Sequence, residues 1–155
     1  MKTSKNFKGE VVGAVLVLSK PIVDDMLKFI TNSLGESHQA YAVLTDTYKN
    51  NVVQFTNSLL LHIFKALSLK YSQVIYDKVT ISLKNDNLVS DKCINTLKAI
   101  SVEFIDKLHK SLQDFISESV KGDAISAQIN FDKFKTNIAN ATVVMLILEK
   151  LDPKK

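Results

Sequence analysis

The chain has 155 residues, 46% of them apolar and 23% charged, with a formal net charge of +4. That length suits one domain with an adequate core, and the balance of apolar and charged residues excludes disorder as the default. Its 20 basic residues are all Lys; without Arg, the residue best fitted to bidentate contact with guanine or phosphate, sequence-specific nucleic-acid recognition is not expected.

The first eight residues are polar and Lys-rich and read as a frayed terminus. The apolar run 11–18 that follows is too short to span a bilayer, and no small-x-small cleavage site marks it as a signal peptide. It is rich in β-branched residues, but no second strand candidate exists to pair with it, so 10–18 is expected to be a short apolar helix. Pro21 should then separate or kink it from a second helix over 20–34. In that reading Ser19 is the N-cap, Pro21 lies in the first turn, and Asp24 and Asp25 complement the positive helix end. Its apolar stripe is Ile22, Met26, Phe29, Ile30 and Leu34.

Gly35 and Ser37 then read as a C-terminal cap and an N-cap, with a long rod over 37–83. Its stripe is Tyr41, Leu44, Tyr48, Val52, Phe55, Leu59, Ile63, Ala66, Leu67, Tyr71 and Val74, in steps of three and four. Tyr41, Val52, Ile63 and Val74 recur every eleven residues, a period of about 3.67 residues per turn, so the stripe should run nearly straight. An unbroken rod would be about 70 Å long at ~1.5 Å per residue, with Lys49, Asn50 and Asn51 as the expected weak point. Around 57–69 the stripe widens, because Leu60, Leu61, Phe64 and Leu69 add apolar surface beside it.

Residues 84–87 read as a loop and Ser90 as the cap of a third helix over 90–121, with stripe residues Ile94, Leu97, Ile100, Phe104, Ile105, Leu108, Leu112, Phe115 and Ile116. Glu103 with Lys107, and Asp106 with Lys110, are spaced for an exposed face. Gly122 and Asp123 repeat the cap punctuation before a fourth helix over 123–151. Its last part is apolar on nearly all sides, and Val143, Val144, Leu146 and Ile147 should be central or in contact with something else. The expected fold is therefore all-α: an elongated bundle of about four long antiparallel helices plus the short N-terminal apolar helix, in one domain over 1–155.

Candidate chemistry is sparse. His62 has no carboxylate or second His one turn away and reads as a half-buried residue at the core edge. Asp106 and His109 form a single acid-x-x-His pair, whereas di-iron bundles need that motif on two helices and further Glu on the others. His38, at the start of the rod, should be exposed, and Cys93 should be buried and inert. One Cys forms no internal disulfide, which fits a cytoplasmic protein. No catalytic residue, metal or cofactor is assigned.

The expected function is non-catalytic: association with itself or with a protein partner through Leu60, Leu61, Phe64 and Leu69, or through Val143, Val144, Leu146 and Ile147. The alternation of long amphipathic helices with little Gly or Pro also resembles phasins, which coat polyester granules. That resemblance implies a surface-coating role on a membrane or granule. An enzyme whose site is assembled from dispersed residues is the third class.

Overall fold

Val11, Val15, Ser19, Ile22, Met26, Ile30 and Leu34 are all buried, in steps of three and four that place them on one face of a single helix. In the computed structural model, which describes residues 4–38, 52–85 and 91–151, that helix is α1, Ser4–Leu34, and it is continuous through Pro21. The expected break between 10–18 and 20–34 is therefore absent. The reason lies in where the proline points. Pro21 is exposed, and the carbonyl it deprives of a donor belongs to Val17, itself 74% exposed. That group lies on the solvent side, open to water, while the buried row runs down the opposite side. Ser19 does not cap a helix; it is buried within α1, and its hydroxyl donates to the Val15 carbonyl at 2.5 Å. Asp24 and Asp25 accordingly lie mid-helix instead of in a first turn.

The glycine caps do form. Gly35 has φ 97°, and its N–H bonds to the Thr31 carbonyl at 2.7 Å, the single bond of a left-handed cap. Gly122 has φ 82°, with bonds from Gly122 N to Ser119 O and from Asp123 N to Glu118 O, at 3.2 and 2.9 Å. Those two bonds make a Schellman motif, and Asp123 then caps the next helix by accepting the Ser126 N–H at 3.1 Å. That hydrogen bond holds the Asp123 carboxyl below its ordinary pKa.

Beyond Ser37 and His38, the described part of the rod begins with α2, Val52–Ile75. A π-helical turn, Tyr76–Thr80, follows, and then a short α3, Ile81–Asn85. The helix thus reaches two residues into the expected loop; 86–87, Ser90, the expected kink at 49–51, and Tyr41, Leu44 and Tyr48 lie outside the described residues. Buried positions are Leu60, Ile63, Leu67, Tyr71, Ile75, Val79, Thr80 and Leu83. Steps of four drift around an α-helix of 3.6 residues per turn, and the wider π turn takes up that drift, keeping Ile75, Val79 and Leu83 inward. Val74, expected on the stripe, is only half-buried.

α4, Asp91–Lys121, and α5, Ala124–Leu151, form an antiparallel hairpin. At its closed end the Phe115 ring meets Phe131 at 5.2 Å and Phe134 at 5.7 Å, edge-on and tilted respectively. On α4, Lys110 pairs with Asp114 at 3.0 Å, one turn past Asp106. α5 is the central helix and touches α1, α2, the π turn and α4. Tyr71 meets Asp25 and Lys70 lies 5.6 Å from the Phe29 ring, so α2 runs antiparallel to α1. Lys150 lies 6.0 Å from the Tyr76 ring, which sets α2 parallel to α5. The four long helices therefore alternate in direction, and among the described residues every element is helical.

Candidate functional site

The residues singled out for surface association divide into two groups. Val143, Val144, Leu146 and Ile147 are all buried, because this C-terminal part of α5 is enclosed by its neighbours on nearly every side. Intramolecular packing also takes Leu60, and it half-buries Phe64 against the core. Leu61 and Leu69 remain outside, 71% and 82% exposed. They lie eight residues apart with exposed Lys65 midway, so the three line one row of α2. The row faces away from α1 and α5, whose contacts use the buried side of the helix.

A second site appears where α1 crosses the C-terminal half of the rod. Leu18, Pro21, Ile22 and Asp25 on α1, with Tyr71, Val74 and Lys78 opposite, line a cleft of about 480 Å³. The Tyr71 hydroxyl donates a short hydrogen bond to the Asp25 carboxylate. Burial first, and then that bond and the carboxylate's charge, push the phenol pKa upward, so Tyr71 remains a donor. Sequence reasoning missed this pair. The available signal was Tyr71 itself: a tyrosine on a core stripe needs a partner for its hydroxyl.

A second polar cluster sits at the other end of α1, where its C-terminal turn docks on α5. Gln128 Oε1 accepts the backbone N–H of His38 at 3.0 Å and lies 2.9 Å from His38 Nδ1. The Gln128 Nε2 donates to the Glu36 carbonyl and to Asp132 Oδ1, both at 3.0 Å. The two backbone partners fix the amide orientation, so His38 must carry its proton on Nδ1 to make the remaining bond. Lys135 is buried beside them, donating to the Gly35 carbonyl at 3.3 Å and lying 4.7 Å from the Phe131 ring. It meets the negative end of α1. His38 was expected to be exposed; it is 7% exposed and serves as a clasp, because the tight turn at Gly35 folds it back onto α5.

The other candidates stand apart. His62 is exposed instead of half-buried, and His109 and Asp106 are exposed on α4. Cys93, in the first turn of α4, is buried, as expected. A shallow groove of about 620 Å³ between α4 and α5 is lined by Lys107, Lys110 and Lys133 with Asp114 and Asp132. Its charges are already partly engaged, Lys110 by Asp114, and Asp132 by Gln128 and Lys135. Among the described residues no three His, Cys, Asp or Glu side chains gather as a metal site would need, and no helix is long and apolar enough to cross a membrane. Comparison with known protein families, with curated proteins and with solved structures finds no match for this chain.

Proposed function

We propose that this is a non-catalytic, cytoplasmic helical protein that works by association, with itself or with a protein partner, through the outward row of α2. The observation that carries the reading is the exposure of Leu61 and Leu69, 71% and 82%, on a helix that buries Leu60, Ile63, Leu67, Tyr71 and Ile75 against the core. Covering each leucine is worth about 1.5–3 kcal/mol, enough for two such residues to anchor an interface when polar contacts surround them. Lys65, exposed midway between them, is placed to contribute to such a rim.

The test compares wild type with the Leu61→Glu/Leu69→Glu variant as immobilised bait. The prey is labelled copies of the same chain in one arm and an extract of the native source in the other, with bound species identified by mass spectrometry. The reading expects at least one species held by wild type and lost by the variant. Identical bound sets for the two baits would overturn it. Both substitutions are at exposed positions, so the variant should keep its helical circular dichroism.

A further inference from the structure

The outward row of α2 carries a charge between its two leucines, and that charge narrows what can cover it. Leu61 and Leu69 are eight residues apart, about 12 Å along the helix at ~1.5 Å per residue, and exposed Lys65 stands midway. Any helix that covers both leucines therefore also passes over Lys65. An ammonium drawn out of water without a partner is costly. No acid on the same helix neutralises it: the 24 residues of Val52–Ile75 include His62, Lys65 and Lys70 but no Asp or Glu. Among the described residues Lys65 makes no ion pair.

A second copy of the chain does not supply the complement. Both two-fold arrangements of the row against itself, parallel in register or antiparallel about Lys65, set Lys65 against the copy's own Lys65. Like charges brought together in that way oppose the contact. Other faces of the chain do not fit either. The complement is an exposed carboxylate with an exposed large apolar residue four positions to each side, and among the described residues no helix has one.

We propose that the row receives an acidic amphipathic helix of another protein, with apolar side chains on Leu61 and Leu69 and an Asp or Glu between them on Lys65. This inference rests on the reading of the row as an interface. A carboxylate at the midpoint gives Lys65 a charge-assisted partner. A neutral helix leaves it unpaired, and a basic one adds repulsion, so the row selects among helices that share the same apolar spacing.

Three labelled helical peptides test the proposal by fluorescence anisotropy against the full chain. They share two leucines eight residues apart and differ only at the midpoint, which is Glu, Gln or Lys. Wild type should bind the Glu peptide saturably and about fivefold more tightly than the Gln peptide, with the Lys peptide weakest. Lys65→Glu should reverse that order. Leu61→Ser/Leu69→Ser, which changes no charge, should lose all three. Binding that ignores the midpoint residue, or an order unchanged in a Lys65→Glu chain that keeps its helical spectrum, would overturn the acidic partner while leaving the row an interface. Wild-type self-association that the serine variant abolishes would do the same. Failure of every peptide to bind, or equal binding to the serine variant, would also overturn the proposal, and the bait experiment alone would then decide whether the row is an interface.

Discussion

Replacing Pro21 with Ala separates two accounts of the first third of the chain. If Pro21 opened a helix, its missing N–H would be an orphan in any case, and Ala would lower stability by the few tenths of a kcal/mol that proline's rigidity contributes. In the structure Pro21 lies in the interior of α1. There proline is about 3 kcal/mol less favourable than Ala, a helix–coil difference that already includes the greater freedom of the unfolded Ala chain. The ring is exposed, so little burial is lost on its removal. The net expectation is a stabilisation of about 3 kcal/mol, or a rise in Tm of about 6–12 °C for a chain of this size. Thermal and urea unfolding followed by far-UV circular dichroism measure it. A Tm that stays the same or falls would contradict a continuous α1.

Other perturbations follow from the same geometry. Gln128→Ala leaves the Glu36 carbonyl and the His38 N–H without their partners and should destabilise by about 1–3 kcal/mol in urea unfolding. Thr80 is fully buried and its hydroxyl has no partner among the described residues, so Thr80→Val should stabilise by about 1 kcal/mol. Gly122→Ala puts a side chain at φ 82° in the Schellman turn and should cost about 1 kcal/mol, seen as a lower urea midpoint. Tyr71 has a pKa raised in the folded state above its ordinary 10.0, so its contribution is fully present below pH 10 and is lost as pH rises further. Wild type should therefore lose stability above pH 10 more steeply than Tyr71→Phe, and parallel pH profiles would refute the Asp25 bond.

The large features were legible in the sequence because they depend on spacing. Four long helices, the two glycine caps and the central place of Val143, Val144, Leu146 and Ile147 all follow from apolar period and from positive-φ positions. What was not legible depends on direction or on distant partners. Pro21 reads as a break from its type alone; that it faces solvent is set by which side α2 and α5 cover. The row Val11, Val15, Ser19, Ile22 already carried the continuous phase, but Ser19 is polar, and its hydroxyl is satisfied only by bonding back to Val15. His38 and Gln128 are ninety residues apart, and Asp25 and Tyr71 forty-six, so no local pattern joins them. The π turn has a faint signature, the run of steps of four from Ile63 to Leu83, which an uninterrupted α-helix does not hold on one face.

The exposed row on α2 is the feature on which the functional reading stands, and sedimentation velocity addresses it most directly. Wild type and Leu61→Glu/Leu69→Glu are run over a wide range of concentrations, alone and with any species the bait experiment recovers. The account predicts a sedimentation coefficient that rises with concentration, or on addition of the recovered species, for wild type only. A wild-type chain that stays monomeric under both conditions, or a variant that associates as wild type does, would contradict it.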